Sequence, residues 1–452
     1  MRLVIIGGGI SGLSLAYLLL EHKPSLDILI LESEKKAGGK IWTDKVDGFL
    51  CEWGVNGFLD NRPKTLELVS KLSLSPLRSN DNARRRYIFS SGKLNLLPES
   101  PPAFLTSNLL SISGRLRVIY EMFVPKWKGG DETLAHFATR RLGREAYEKL
   151  IDPMASGIFA GDPEKMSLKS CFAKVYNLEQ KYGSLIRGMI KLQKEAKKTG
   201  NKVGAGPGGT LTSFYDGMES FIGALTSFLG KRLRTGSEVV SIERRDKNYM
   251  LFLSDGTTIE TEAVVCATPA FATSAMVKDM DRNLSALLHE IFYPSISVVC
   301  LGYRREKIRH TLMGFGFLIP FKEGRKILGT LWDSSIFPNR APEGYVLLRT
   351  MLGGARRSDL ALEQEEKLIT LVMDELRDIM GVTAQPDFAK VYTHRKGIPQ
   401  YFLGHEQQTE QIAGICRNYK GFYVTGNAYG GIGVNDCIEN SSKLAERILQ
   451  EI

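Results

Sequence analysis

The chain has 452 residues, of which 43% are hydrophobic and 24% are charged, and its formal net charge is +10. This length favours two or three lobes of a globular protein, and the absence of an apolar stretch of bilayer length argues against a membrane-spanning helix. The positive charge suits nucleic acid, an anionic membrane or an acidic small molecule, but no DNA- or RNA-binding motif is present, so we expect no nucleic-acid partner.

The chain begins with a predicted βαβ unit. The apolar run Leu3–Ile6 predicts a buried strand, because β-branched residues fill it and a glycine cluster ends it. The G-x-G-x-x-G spacing of residues 7–12 then opens a helical pattern over residues 13–21. A second short strand, residues 27–31, ends at Glu32. This order is typical of a dinucleotide-binding fold.

Each part of this unit has a role in binding a dinucleotide. The three glycines permit a tight turn, a close approach of the backbone to a pyrophosphate, and close packing of the helix on the strand. The helix N-terminus offers free N–H groups to phosphates, and Glu32 can accept hydrogen bonds from a ribose. A signal peptide or membrane anchor would explain the apolar character, but not the four glycines and the strand that follows at once.

The next segment favours FAD over NAD. The paired glycines Gly38 and Gly39 let the chain pass the cofactor, and Lys40 can lie against its phosphates. A strand that begins at Phe49 runs into a second glycine turn, residues 53–57. Together these features resemble the amine-oxidase superfamily of flavoproteins, in which such a turn borders the flavin ring.

A block of helical patterns follows. Residues 84–98 predict a β-hairpin that turns at Ser91 and Gly92, and residues 103–200 are mostly helical, which predicts a lobe inserted into the dinucleotide domain. The segment 104–127 is basic and bears aromatic residues. Two interpretations fit it equally: a helix lying on an anionic bilayer, or part of a lobe that packs its own core.

The chain then returns to the cofactor domain. Residues 204–209 predict a flexible loop, and the buried strand Ala263–Cys266 rejoins the cofactor sheet, where Val239 can contact the adenine. Residues 285–415 alternate strand patterns with one clear helix, residues 360–380, and predict a lobe over the flavin.

The last segment closes the cofactor domain. A strand at residues 422–425 runs into a glycine-rich loop and then a helix. The small residues at 430–434 let backbone N–H groups approach a planar ring, and the helix start points its dipole at the pyrimidine side of the flavin.

The predicted fold class is α/β with α+β lobes: a discontinuous Rossmann-like FAD-binding domain, an inserted helical lobe and a mixed-sheet substrate domain. The FAD-binding domain comprises residues 1–85, 204–284 and 416–452. The helical lobe comprises residues 86–203, and the substrate-binding domain comprises residues 285–415.

Several motifs make the resemblance more specific. They are GGGISGL and EWGVNG in the first domain, GIFAGD at 157–162, GFG at 314–316, MLGG at 351–354, IPQY at 398–401 and GVNDCIE at 433–439. With them the sequence resembles the oxygen-dependent protoporphyrinogen and coproporphyrinogen oxidases, flavoenzymes of haem synthesis. The resemblance implies noncovalent FAD and six-electron oxidation of a porphyrinogen, with hydride transfer to flavin N5 and three reoxidations by O2 that give H2O2. Protoporphyrinogen IX is the expected substrate, and coproporphyrinogen III is the alternative.

The resemblance also implies a substrate site. Arg86 matches an arginine that holds a substrate propionate, although a solvated run of arginines at 84–86 would look the same. The residues Phe315, Leu318 and Met351 match positions that line the substrate slot, or else are ordinary core residues. The backbone of Gly157 or of Gly161 can face a pyrrole N–H.

No side chain is assigned as a catalytic base. His394 lies where related flavoenzymes often carry tryptophan, and we expect a structural role in preference to a proton shuttle. Asn56 replaces an arginine found in some relatives. The family pattern suggests a structural role for Cys437 at the start of the last helix.

The residues that we expect to contact FAD are Gly7, Gly9, Ile10, Ser11, Gly12, Glu32, Ser33, Gly39, Lys40, Gly54, Val55, Asn56, Gly57, Val239, Ile432, Gly433 and Val434.

Two other functions fit parts of the sequence. One is another amine-oxidase-like flavoenzyme, such as a polyamine oxidase or a carotenoid desaturase. The other is a flavoprotein that has lost its activity and only binds partners, against which the intact glycine turns and Arg86 argue. Six cysteines without CxxC spacing argue against a metal site and suit the cytoplasm, with peripheral contact with the membrane left open. A second copy of the chain and a chelatase that receives the product are the protein partners considered.

Overall fold

The computed structural model describes residues 2–199 and 208–451. Its strands are β1 (Arg2–Ile6), β2 (Asp27–Leu31), β3 (Thr43–Val46), β4 (Phe49–Glu52), β5 (Phe58–Leu59), β6 (Pro76–Arg78), β7 (Arg86–Ser90), β8 (Lys93–Leu96), β9 (Leu211–Phe214), β10 (Leu233–Arg234), β11 (Val239–Arg245), β12 (Asn248–Leu253), β13 (Thr258–Thr261), β14 (Ala263–Cys266), β15 (Ile296–Arg304), β16 (Gly316–Leu318), β17 (Ile327–Leu331), β18 (Tyr345–Gly353), β19 (Phe388–His394) and β20 (Phe422–Val424).

Its α-helices are α1 (Ile10–His22), α2 (Pro63–Lys71), α3 (Pro101–Thr106), α4 (Ile112–Ile119), α5 (Leu134–Leu142), α6 (Arg144–Ala146), α7 (Asp152–Phe159), α8 (Leu168–Cys171), α9 (Ala173–Tyr182), α10 (Leu185–Thr199), α11 (Glu219–Leu229), α12 (Ala270–Met276), α13 (Arg282–His289), α14 (Asp333–Ile336), α15 (Glu365–Met380), α16 (His405–Arg417) and α17 (Val434–Glu451).

The cofactor domain is built on a five-stranded parallel sheet with the order β10-β2-β1-β14-β20. Helices α1, α11 and α17 bury apolar side chains on one face, and the antiparallel meander β11–β13 contributes to the core on the other. The strands come from distant parts of the chain, so this domain is discontinuous. The predicted fold class is therefore confirmed.

The second large sheet has seven strands in the order β19-β15-β18-β17-β16-β7-β8. Its pairs are antiparallel except for β7 and β16, which run parallel. Helix α15 packs its apolar residues on this sheet. It begins at Glu365, later than the predicted residue 360, because residues 358–362 form a 3₁₀ turn.

The predicted hairpin is confirmed as β7 and β8. Ser91 and Gly92 form its turn and both have positive φ angles, 56° and 75°, as a two-residue type I′ turn requires. However, β7 pairs with β16, so the hairpin belongs to the substrate-domain sheet and not to the helical lobe in which a boundary at residue 86 placed it. Helix α16 likewise packs its Ile412 into the core beside the cofactor sheet, although the predicted boundary assigned it to the substrate domain.

The inserted lobe is helical as predicted, and it contains α3–α10. Its core includes Leu134, Phe137 and Phe159. A fully buried arginine, Arg141, pairs with two glutamates of the lobe, Glu121 and Glu179. Most of the loop predicted at 204–209, and the predicted boundary within it, lies outside the described residues. In the described parts of the chain, no helix is both long and apolar enough to cross a bilayer.

Candidate functional site

The first part of the site lies where β1 meets α1. Helix α1 begins at Ile10, three residues before the predicted start, so the motif residues Ile10, Ser11 and Gly12 form its first turn. Among the described residues, no side chain caps this N-terminus, which leaves its N–H groups free for an anion. A Cβ on Gly12 would lie 2.0 Å from the carbonyl oxygen of Gly7, so only glycine permits this packing.

Glu32 lies at the end of β2, beside this turn. One oxygen of its buried carboxylate, Oε2, accepts a 2.6 Å hydrogen bond from the N–H of Gly8, and the other accepts one from Glu34 at 2.9 Å. Ser33 also donates to this carboxylate. The N–H of Ser237 donates to the carbonyl of Glu32 at 2.8 Å, which places the nearby Val239 at the same edge of the sheet.

The glycine pair Gly38 and Gly39 lies beside the glycine turn of residues 7–12. Gly38 forms a β-bridge with Gly9, and the carbonyl of Lys40 lies 3.5 Å from the position of a Cβ on Gly54. The turn 53–57 therefore lies beside residues 38–40. The ammonium group of Lys40 donates to the carbonyl of Lys396 at 2.7 Å, and burial lowers the pKa of this lysine. Its predicted contact with phosphate stays a prediction.

Two of the residues that depart from the family pattern contribute to this turn. The Nε2 atom of His394 lies 3.0 Å from the carbonyl oxygen of Trp53, and burial is the main reason that the pKa of His394 is lowered. A neutral histidine that donates to a carbonyl has a structural role, in agreement with the expectation. The amide nitrogen of Asn56 donates to Asp333 at 3.4 Å.

The C-terminal loop completes the site. Its residues Ile432, Gly433 and Val434 lead into α17, whose Ser441 donates to the carbonyl of Ser11 at 2.9 Å. The first turn of α1 is thus tied to the interior of α17. Cys437 is buried, and burial raises the pKa of its thiol to about 11, so it is a packing residue at neutral pH.

These features fit FAD. An uncapped helix start, glycines that leave space for backbone approach, and the buried carboxylate of Glu32 converge from three parts of the chain. The side-chain oxygens of Asn56 and Asn435 are buried without a hydrogen-bond partner in the described structure, as expected of groups that complete their bonding with a ligand. The residues predicted to contact FAD in the β1–α1 turn and at Glu32, in residues 39–40 and 54–57, and in the loop before α17 would hold it.

The predicted substrate residues lie on the seven-stranded sheet and on the helix beside it. Gly329 on β17 pairs with Leu318 on one side and with Met351 on the other, so these two side chains flank a position without a side chain. We call Leu318 and Met351, with Gly329 between them, the apolar row. A Cβ on Gly157 would lie 2.6 Å from Leu318, which places α7 against this row. The guanidinium of Arg86 lies 5.3 Å from the centre of the Phe315 ring.

The row faces the turn 53–57. Arg349 lies two residues before Met351 on β18, so both side chains point to the same face of the sheet. The guanidinium of Arg349 reaches the carbonyl of Gly54 at 3.1 Å. The apolar row therefore lies on the face of the sheet that contacts the glycine turn.

The motifs that carry the resemblance interlock. Gln400 of IPQY donates to the carbonyl of Phe159 in GIFAGD at 2.9 Å. Ala355, which follows MLGG, donates its N–H to the carbonyl of Ala160 at 2.8 Å. Arg356 forms an ion pair with Asp162 at 2.9 Å. These contacts fix the helical lobe to the substrate sheet.

Sequence reasoning did not assign several of these residues. Arg349 carried a usable signal, because it is a lone charge in the apolar strand β18. Asp333 and Gln400 carried none that distinguishes them from surface residues. Tyr401 belongs to the IPQY motif but was given no role of its own. It is buried, and its hydroxyl joins two points of the C-terminal loop.

Replacing Tyr401 by phenylalanine should loosen that loop. The hydroxyl donates to the carbonyl of Asn427 and accepts from the N–H of Gly431 at 3.0 Å. We expect Tyr401→Phe to raise the dissociation constant for FAD about 10-fold, measured by quenching of flavin fluorescence. Tyr303→Phe is the matched control, since the Tyr303 hydroxyl is buried and has no partner in the described structure. Equal affinities in the two variants would contradict the role of Tyr401.

Glu52, at the start of the turn 53–57, should make stability depend on pH. Its buried carboxylate accepts from Thr43 and Met218, and burial raises its pKa from 4.5 to about 7. The folded protein then keeps a proton that the unfolded chain releases. The contribution of Glu52 to the free energy of unfolding therefore falls as the pH rises from 4.5 to about 7, and is constant above.

The size of this loss is about 3 kcal/mol, and Glu52→Gln should remove it. Urea unfolding of both proteins across this pH range measures the difference. If the variant keeps the same pH dependence as the parent, Glu52 is not its source.

Comparison with known proteins agrees with this geometry. The family profile of flavin-containing amine oxidoreductases matches residues 10–449. Coproporphyrinogen III oxidase from Bacillus subtilis is 30% identical, over 97% of this chain and 96% of its own length. Protoporphyrinogen oxidase 1 of Arabidopsis thaliana, a chloroplast protein, is 31% identical, over 98% of this chain and 87% of its own length.

Solved structures share the fold. A protein from Exiguobacterium sp. 255-15 superimposes with a TM-score of 0.86 at 27% identity, covering 100% of this chain and 99% of its own. UDP-galactopyranose mutase gives a TM-score of 0.78 at 16% identity, covering 100% of this chain and 94% of its own, which shows the fold alone. The chain belongs to the flavin-containing amine oxidoreductases and, within them, to the family of protoporphyrinogen and coproporphyrinogen oxidases. It is an oxidoreductase with FAD as its cofactor.

Proposed function

We propose that this protein oxidises protoporphyrinogen IX to protoporphyrin IX, with coproporphyrinogen III as the alternative substrate. Bound FAD supplies the hydride acceptor, and its reoxidation by O2 yields H2O2. The single observation that carries the proposal is the position of Arg86. Its guanidinium stacks on Phe315, on the same sheet as the apolar row of Leu318 and Met351.

The chain's own residues have two tasks in this reaction. The apolar row binds the flat faces of the macrocycle and excludes water from the space in front of the turn 53–57. Arg86, which is exposed at the start of β7, pairs with a propionate and sets the orientation of the ring. Within the described residues we assign no side chain to accept the proton that leaves the substrate with each hydride.

The two porphyrinogens differ in the number of carboxylates, two against four. The B. subtilis relative is named for coproporphyrinogen III and the A. thaliana relative for protoporphyrinogen.

One assay tests the proposal and separates these substrates. The purified yellow protein is mixed aerobically with each porphyrinogen, and porphyrin fluorescence is followed against a blank without protein. We expect fluorescence to grow faster with protoporphyrinogen IX. Faster growth with coproporphyrinogen III would select the alternative, and no growth with either would refute both. Activity on a polyamine or a carotenoid precursor would point to the other flavoenzymes of the superfamily.

We also propose that the helical lobe lies on the surface of a membrane without crossing it. Three residues spaced along one face of α4, Ile112, Leu116 and Ile119, are 71%, 61% and 39% exposed, and Phe123 just beyond is 63% exposed. Exposed Lys126 and nearby basic residues lie in the same segment. Apolar side chains beside cations suit the interface of an anionic bilayer.

Binding to vesicles tests the membrane contact. The double variant Leu116→Asp with Phe123→Asp should bind anionic vesicles at least ~10-fold more weakly than the parent in a sedimentation assay. Leu362→Asp is the control, because Leu362 is 44% exposed but lies in the substrate domain. If the parent stays in the supernatant at low salt, the lobe does not bind membranes.

A further inference from the structure

A buried ion pair lies directly behind the glycine turn 53–57. Asp333 at the start of α14 and Arg349 on β18 are 0% and 1% exposed, and their side chains are 2.8 Å apart, Nε to Oδ2, in an ionic contact that lacks the alignment of a hydrogen bond. Removing two charges from water is costly, and a buried pair often stabilises a protein no more than apolar residues of the same volume. The pair is therefore better explained by what it orients than by stability.

Arg349 holds the backbone of the turn. Besides its contact with Asp333, its guanidinium donates through one terminal nitrogen to the carbonyl of Gly54 at 3.1 Å and approaches that of Glu52 at 3.5 Å. A planar guanidinium fixes the angle between the groups that it joins, which a lysine ammonium does not. The ion pair thus connects the substrate sheet to the chain that borders the flavin.

Asp333 holds the side chain of the same turn. Its second oxygen, Oδ1, accepts from the amide nitrogen of Asn56 at 3.4 Å. Burial raises the pKa of Asp333, and the guanidinium of Arg349 partly offsets this rise. With the nitrogen of Asn56 donating to Asp333, the oxygen of Asn56 points away from it.

The last observation concerns the side-chain oxygen of Asn56. Oδ1 of Asn56 is buried and has no hydrogen-bond partner in the described structure. Buried acceptors are nearly always paired in a complete complex, so this oxygen is free to accept from an N–H donor of a bound molecule. The flavin ring carries such a donor and gains more of them on reduction. An acceptor at the ring would favour the reduced form.

We infer that Asp333 and Arg349 are positioning residues of the FAD site, which hold the turn 53–57 and aim the oxygen of Asn56 at an N–H of the flavin. The inference concerns the cofactor and does not depend on which porphyrinogen is oxidised. It also accounts for Asn56 in place of the arginine of some relatives, since an arginine here would lie against Arg349 and could not accept.

The test compares Arg349→Lys, Asp333→Asn and Asn56→Leu in the full chain, using FAD binding and the flavin midpoint potential. Arg141→Lys is the matched control: Arg141 is 0% exposed and paired with two glutamates, but it lies in the helical lobe. We expect the first two variants to bind FAD about 10-fold more weakly. Asn56→Leu should lower the midpoint potential in the absence of substrate, and Arg141→Lys should change neither quantity.

Some outcomes would overturn the inference. Unchanged FAD affinity and potential in all three variants would do so. A potential that is unchanged in Asn56→Leu while only the KM for porphyrinogen rises would assign the N–H donor to the substrate and refute the flavin contact. If the Arg349 and Asp333 variants do not fold, Asn56→Leu alone decides, because it leaves the buried ion pair in place.

Discussion

Replacing Gly12 by alanine is expected to abolish FAD binding and to destabilise the cofactor domain. A Cβ at this position would lie 2.0 Å from the carbonyl oxygen of Gly7 and 3.3 Å from the side chain of Ala267. Neither neighbour can move freely, because Gly7 follows the central strand β1 and Ala267 follows the adjacent strand β14. The start of α1 must therefore shift away from the sheet.

The shift has two measurable effects. Overpacking of this kind lowers the free energy of unfolding by about 3 kcal/mol. It also displaces the N–H groups that would bind the pyrophosphate, so the purified variant should be colourless. Thermal unfolding and the flavin absorbance of the purified protein report the two effects.

Gly223→Ala provides the control for Gly12→Ala. Gly223 lies within α11 of the same domain, and a Cβ there would meet no described atom within 4 Å. The added methyl group should stabilise the helix by about 1 kcal/mol and leave FAD in place. A yellow Gly12→Ala protein as stable as the parent would show that the motif does not bind the cofactor in this way.

Replacing Arg86 by alanine should weaken substrate binding without affecting the flavin. Arg86 stacks on Phe315, and none of its described contacts involves the glycine turns. The loss of a charge-assisted pair with a propionate corresponds to an increase in KM of about 10- to 100-fold. The visible spectrum of the flavin should stay the same.

Arg84→Ala distinguishes a binding role from a solvated run of arginines. Arg84 is 70% exposed at its side chain and lies 3.6 Å from Asp81, so its removal should leave the KM nearly unchanged. Equal increases in KM for the two variants would indicate a general charge effect. Loss of FAD from Arg86→Ala would show that this arginine serves the cofactor and that its assignment to the substrate is wrong.

Local patterns predicted most of the cofactor domain. The strand Arg2–Ile6, the glycine motif and the strand Asp27–Leu31 are adjacent in sequence, so their arrangement follows from periodicity and turn chemistry. The hairpin turn at Ser91 and Gly92 was predicted for the same reason. Neither required knowledge of distant contacts.

Long-range pairing was beyond the reach of these patterns. Nothing in the hairpin sequence indicates that β7 pairs with β16, more than two hundred residues later, and the domain boundary at residue 86 was misplaced for that reason. The pair Asp333 and Arg349 was missed for the same reason. The burial of a charged residue can be inferred only when its ion-pair partner is known, and local patterns do not identify that partner. Helix α16 was not predicted, since its apolar residues are few.

The order of strands in the cofactor sheet has a consequence for synthesis of the protein on the ribosome. β1 emerges first, but its neighbour β14 and the adjoining β20, at Phe422–Val424, emerge only after several hundred further residues. Until then, the apolar edge of β1 must be shielded by other means, such as a chaperone. Loading with FAD is therefore a late event, which follows translation of nearly the whole described chain.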